Sequence, residues 1–127
     1  MSSKQSYLGN PNLKGTGVSV DWTPESVEEY KKCMESPLYF IKNYVQIVNV
    51  DRGLVPFDMW DFQEDMINNF HDERFVICKM PRQTGKSTTI ISYLLHFVLF
   101  NPEVNVAILA NKGAVARELL SRLQLAY

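Results

Sequence analysis

Arg74-Phe75-Val76-Ile77-Cys78, Lys79-Met80-Pro81-Arg82-Gln83-Thr84, Gly85-Lys86-Ser87 and the run on to Phe100 form the stretch that decides the fold. The first five residues are a short apolar run of buried-strand type, and Ser87 to Phe100 is long enough for a helix. The order strand, loop, helix matters more than any one triplet. A helix that opens after such a loop points unpaired backbone N–H groups into it, and the positive end of its dipole favours an anion there. Gly85 lets the backbone close on that anion, Lys86 can reach the β and γ phosphates, and Ser87 can put its hydroxyl on Mg²⁺. The expectation is a site for a nucleoside triphosphate. The general phosphate-loop pattern also asks for a glycine five residues before Gly85, and that position is Met80. The alternative is a polar turn that caps a core helix.

Working outward, the helix is apolar on nearly every side, which predicts burial. Asn101-Pro102 ends it, and Val104 to Leu109 reads as a second strand, apolar throughout as in a parallel sheet covered on both faces. Asn111-Lys112-Gly113 turns the chain into a last helix, Ala114 to Tyr127. Val115, Leu119, Leu123 and Ala126 share one face of it, and Glu118 and Arg122 form an i,i+4 pair. Strand, helix, strand, helix is the start of a doubly wound α/β fold. Two strands do not make a stable parallel sheet, so the sequence reads as the front part of a larger domain.

Upstream, residues 1–20 are rich in Ser, Asn, Gly and Lys and read as a leader with little fixed structure. Thr23-Pro24-Glu25 signals a helix start, with a capping hydroxyl, a proline in the first turn and an acid near the positive dipole end. That helix is predicted from Pro24 to Glu35. Ser36-Pro37 breaks it, and a second follows from Leu38 to Val45. Gln46 to Asp51 reads as a strand–turn boundary, with a metal-ligand role for Asp51 as the alternative. Asp51-Arg52-Gly53 is a turn, and Asp58 is placed to cap a third helix, Met59 to His71.

The 127 residues suffice for one small domain, and 46% hydrophobic with 21% charged residues is a globular composition. A net charge of −1 announces no overall basic field, although a local patch could still meet DNA. Cys33 and Cys78 share no metal-type spacing and suggest a reducing compartment with buried thiols. The N-terminus is polar, without a signal peptide. The longest apolar stretch, Ile90 to Phe100, is interrupted by Ser92 and His96 and is too short to cross a bilayer. A cytoplasmic setting follows.

Hydrolysis needs a carboxylate to help hold Mg²⁺ and a group to orient water. No Asp-Glu pair follows Leu109, so the chain is expected to carry half of an ATPase site. Arg82 could reach a γ-phosphate and stabilise developing charge, or be a solvated or salt-bridged loop residue. Gln83 and Thr84 read as loop geometry. Phe62 and Gln63 could stack on adenine and bond its polar edge, or be core and surface residues. Lys112 could meet phosphate or DNA, or be solvated. Trp22 and Trp60 read as packing residues, His71 as a surface residue and His96 as a helix residue.

Met80-Pro81-Arg82-Gln83-Thr84-Gly85-Lys86-Ser87-Thr88-Thr89 resembles the phosphate loop of large terminases from tailed bacteriophages, especially contractile-tailed ones. Those loops typically read Arg-Gln-x-Gly-Lys-Ser/Thr and commonly lack the first glycine. Trp60-Asp61-Phe62-Gln63-Glu64-Asp65-Met66 is similar to the family's aromatic-Gln adenine motif. Val106-Ala107-Ile108-Leu109-Ala110-Asn111-Lys112 is similar to the segment after its second core strand, and Tyr39-Phe40-Ile41-Lys42-Asn43-Tyr44 also looks like this group.

The resemblance implies an α/β fold, an incomplete RecA/ASCE-like P-loop NTPase parallel-sheet core preceded by a small helical region. The division would be a leader at 1–20, a helical subdomain at 21–55 and the first part of the ATPase domain at 56–127, stopping before the Asp-Glu motif. It implies ATP and Mg²⁺ as cofactors. Arg82 and Lys86 would be catalytic. Phe62, Gln63, Gln83, Thr84, Gly85, Lys86, Ser87 and Thr88 would hold the nucleotide, and Ser87 the metal. Such proteins are ATP-driven motors that package viral double-stranded DNA. They act as a ring at the portal protein with a small terminase subunit, in the host cytoplasm and transiently on the procapsid, away from membranes and not in the mature virion. Nuclease residues cannot be carried over, because the matched segments contain none. A superfamily-two helicase and a nucleotide-binding module without turnover are the competing classes.

Overall fold

The first helix begins where its capping residues place it. In the computed structural model, which describes residues 6–7, 10–14, 17–19, 21–49 and 51–127, α1 spans Pro24–Glu35. The Thr23 hydroxyl accepts the Ser26 N–H at 3.2 Å, and Pro24 and Glu25 fill the first turn. Ser36 then serves two helices. Its N–H closes α1 onto the Lys32 carbonyl at 3.1 Å, and its hydroxyl accepts the Tyr39 N–H at 3.2 Å to open α2, Pro37–Tyr44. Of the expected leader, residues 1–5, 8–9, 15–16 and 20 lie outside the described residues. Within it, β1 (Ser6–Tyr7) pairs antiparallel with β2 (Asn10–Lys14).

A hairpin follows α2. Strands β3 (Gln46–Asn49) and β4 (Gly53–Pro56) pair antiparallel, with Ile47 opposite Val55. The Asn49 side chain accepts the N–H groups of Asp51 and Arg52 at 2.9 and 3.2 Å, which folds the predicted turn. Gly53 leaves it with φ +73°, a conformation few other residues adopt. Helix α3 spans Asp61–Asp72, α4 Lys86–Phe100 and α5 Gly113–Ala126. Asp58 does not cap α3. The chain stays irregular to Trp60 because Phe57 and Met59 are drawn into the core.

That core joins α1, α2, α3 and α4 through Cys33, Phe40, Ile41, Val45, Phe57, Met59, Ile67 and Leu95. Ile41 and Ile67 are fully buried. Two bonds fasten α4 to its neighbours. The Tyr93 hydroxyl donates to the Phe70 carbonyl at 2.9 Å, and buried His96 meets the Cys33 carbonyl at 2.8 Å. A carbonyl can only accept, so His96 carries its proton on Nε2. On the surface Lys42 and Glu64 link α2 to α3 at 2.6 Å.

The predicted α/β parallel-sheet core is not what forms. Among the described residues there are five helices and two separate two-stranded antiparallel sheets. Arg74 to Cys78 and Val104 to Leu109, both expected as strands, join no sheet and make no main-chain hydrogen bond to another described residue. Their apolar side chains face outward: Phe75 is 83%, Ile77 97% and Leu109 87% exposed. Apolar β-branched residues supply strand propensity, but a strand exists only through a ladder with a neighbour.

Without that sheet, α4 is not buried on every side. Thr89, Ile91, Ser92, Leu95 and His96 are covered, whereas Ile90, Val98 and Leu99 are exposed. No residue of α5 is buried, although Leu123 and Ala126 pack against the rim of the core. The expectation of two buried thiols fails at Cys78, which is exposed on one of these unpaired segments. None of the described helices is long and apolar enough to cross a membrane.

Candidate phosphate-binding loop

Residues 81–85 lead into α4, and Gly85 is its N-cap with φ +70° and ψ 9°. Only Thr89 N–H reaches back to the Gly85 carbonyl, at 3.0 Å. The amides of Lys86, Ser87 and Thr88 precede that first helical bond and have no partner among the described residues. Gln83 is also left-handed, with φ +61°. Left-handed residues in a tight turn can aim successive N–H groups to one side, the kind of concavity that takes an anion.

Three side-chain bonds hold the loop. The Thr84 hydroxyl donates to the Pro81 carbonyl at 3.2 Å, and Lys86 Nζ donates to the same carbonyl at 2.9 Å. Gln63 Nε2 donates to the Thr84 carbonyl at 3.3 Å, from the start of α3. Pro81, Arg82, Gln83 and Gly85 are exposed, while Thr84, Lys86, Ser87 and Thr88 are half-buried. Among the described residues neither Arg82 nor Lys86 pairs with a carboxylate. Exposed Arg82 lies in the loop that leads to Lys86 and the positive end of a 15-residue helix, with no acidic residue in the helix's first turn.

The hydroxyls divide by task. Thr89 Oγ1 donates to the Gly85 carbonyl and Ser92 Oγ to the Thr88 carbonyl, so both are spent inside the helix. Ser87 makes no side-chain bond to a described residue, which leaves its oxygen for a ligand. Gln63 is only 5% exposed, and its Oε1 accepts the Trp60 N–H at 3.0 Å. Phe62 is half-buried and meets Trp60 edge-on, with ring centroids 5.5 Å apart. Trp60 and Trp22, expected as packing residues, are both more than half exposed.

The remaining predicted residues stand apart from this rim. Asp51 lies in the exposed hairpin turn and Lys112 caps α5 on the surface. No group of three His, Cys, Asp or Glu residues is placed to hold a metal among the described residues. A cavity of about 640 Å³ lies between the hairpin, α4 and α5, and Thr88 is the sole candidate binding residue that lines it. The loop is thus an open cradle of amides and not a closed pocket. Two of its supports were missed in the sequence: the Pro81 carbonyl, which no side-chain pattern announces, and the Gln63–Thr84 bond. A glutamine at the third position of a helix was the available signal for the second, because that position bonds back to the cap residue.

No protein-family model matches the chain.

Proposed function

We propose that the chain binds the triphosphate of ATP with Mg²⁺ at residues 81–88, and that it serves a DNA-packaging motor of the large-terminase type. The observation that carries the first half is the rim of α4: among the described residues, three first-turn amides have no partner next to the Lys86 side chain, and no carboxylate pairs with Arg82 or Lys86. Amides, helix dipole and ammonium all stabilise the same charge. Arg82, exposed at the same rim, would reach the terminal phosphate. The free Ser87 hydroxyl fits Mg²⁺, a hard cation that takes oxygen ligands and is commonly shared with substrate phosphates. The bound ion would neutralise phosphate charge, while Lys86 and the amides orient the chain of phosphates.

The second half rests on the resemblance of residues 80–89, 60–66, 106–112 and 39–44. It brings double-stranded DNA, the portal protein, the small terminase subunit, ring assembly and the host cytoplasm into the proposal. Binding of a fluorescent ATP analogue tests the first half. The chain should bind it, and Lys86→Ala should weaken binding about tenfold or more, as loss of a charge-assisted contact does. Equal binding by both proteins rejects the site. In a complete packaging enzyme carrying this segment, Lys86→Ala should abolish ATP turnover and DNA uptake; undiminished hydrolysis rejects the motor. Binding by the isolated chain without phosphate release is the expected result, since the loop brings no carboxylate of its own. Phosphate release above the Lys86→Ala control would overturn the view that this chain carries half a site.

A further inference from the structure

Among the described residues Gln63 is the one buried polar side chain that reaches the loop from another element. Its carboxamide is used at both ends: Oε1 accepts the Trp60 N–H at the start of α3, and Nε2 donates to the Thr84 carbonyl next to the α4 cap. A glutamine that reads a base must offer a donor and an acceptor to that base. Here one of each already points into the protein, where it ties α3 to the loop. The contact is also close. A Cβ at position 85 would come within 2.6 Å of Gln63 Nε2, so the carboxamide would have to move off the cap. Gly85 is favoured by its positive φ, and a side chain there would also push the Gln63 amide from its place.

We propose that Gln63 is a positioning residue for the phosphate loop. Its carboxamide spans from the first turn of α3 to Thr84 and sets the height of Gly85, and with it the direction of the Lys86, Ser87 and Thr88 amides. This assignment rests on the loop being a phosphate site, but the strut is a property of the protein without nucleotide and is measured separately.

Gln63→Glu is the sharpest variant. A carboxylate still accepts the Trp60 N–H but cannot donate to the Thr84 carbonyl, so only the loop end is cut. Two measurements on the full chain decide the matter. In hydrogen exchange without nucleotide, the Thr89 amide, whose bond to the Gly85 carbonyl is the first of α4, should exchange about tenfold faster in Gln63→Glu than in the parent, as loosening of the Gly85 cap gives. In binding, ATP, GTP and inorganic tripolyphosphate should all weaken by the same factor. Unchanged exchange overturns the assignment; a loss confined to ATP while tripolyphosphate binds as before also overturns it and makes Gln63 a base reader. If the parent binds none of the three anions, the phosphate reading falls, and the exchange result alone judges the strut.

Gly85→Ala checks the same contact from the other side. Removing the Gln63 side chain should relieve part of its cost, so the thermal midpoint of Gly85→Ala with Gln63→Ala should lie above the sum of the single losses. Strict additivity would place Gln63 out of touch with the cap and overturn the proposal.

Discussion

Two regions of this chain are opposite in structure, and the more apolar of them is the one left uncovered. Residues 24–72 build helices and a hairpin whose side chains close on one another around Ile41 and Ile67. Residues 74–78 and 104–109 are richer in Val, Ile, Leu and Phe, yet they join no sheet and are largely exposed. Helices satisfy their own backbone and need only one covered face. An extended run needs a neighbouring strand before it can bury anything. Hydrophobicity alone does not make a core; a segment must first have somewhere to put its N–H and C=O groups.

The largest contrast should appear on truncating one isoleucine from each region. Ile67→Ala, at a fully buried position, should lower unfolding stability by about 2–5 kcal/mol in a denaturant titration. A loss below about 1 kcal/mol would mean that the helical region is loosely packed. The two cysteines provide a second comparison, one per region. Burial, followed by the nearby Glu29 charge, pushes the Cys33 thiol up, whereas Cys78 is exposed. A thiol reagent should therefore modify Cys78 in the folded protein and Cys33 only as it unfolds, a rate ratio of roughly a hundredfold or more. Similar rates would erase the distinction.

A smaller effect is expected from acid. Burial holds the His96 imidazole below its usual 6.5, with the Cys33 carbonyl partly opposing the shift. The folded state thus prefers neutral His96, while the unfolded chain takes a proton near 6.5. The stability held above that pH should fall as pH drops from about 6.5 toward the depressed folded value. His96→Gln, which keeps a donor for the Cys33 carbonyl, should flatten that part of the pH profile; an unchanged slope would assign it to other groups. The smallest effect belongs to the open region. Ile77→Ala should change stability by less than about 0.5 kcal/mol, because a side chain that is 97% exposed loses no contacts. A loss comparable with that of Ile67→Ala would show that the segment is covered in solution.

Local grammar was legible in the sequence wherever the chain satisfies itself locally. Thr23-Pro24-Glu25 opened α1 at the predicted residue, Ser36-Pro37 broke and restarted the helix, and Asp51-Arg52-Gly53 turned the hairpin. Helix α4 began at Lys86, where Gly85 allows the left-handed cap. The strands were not legible, because Phe75-Val76-Ile77 states a preference for extension and says nothing about whether a partner lies alongside. The site divides in the same way. The uncommitted α4 amides follow from the order of loop and helix, but Gln63 reaches Thr84 across 21 residues, and only the packing of α3 against α4 brings them together.

The Pro81 carbonyl receives both the Thr84 hydroxyl and the Lys86 ammonium. An ammonium has three N–H donors, so the carbonyl occupies one and leaves two, while fixing where the head group rests. One main-chain oxygen, invisible to any pattern of side chains, thus parks the lysine over the turn ahead of its own helix, and a visiting anion would meet a charge already held in place.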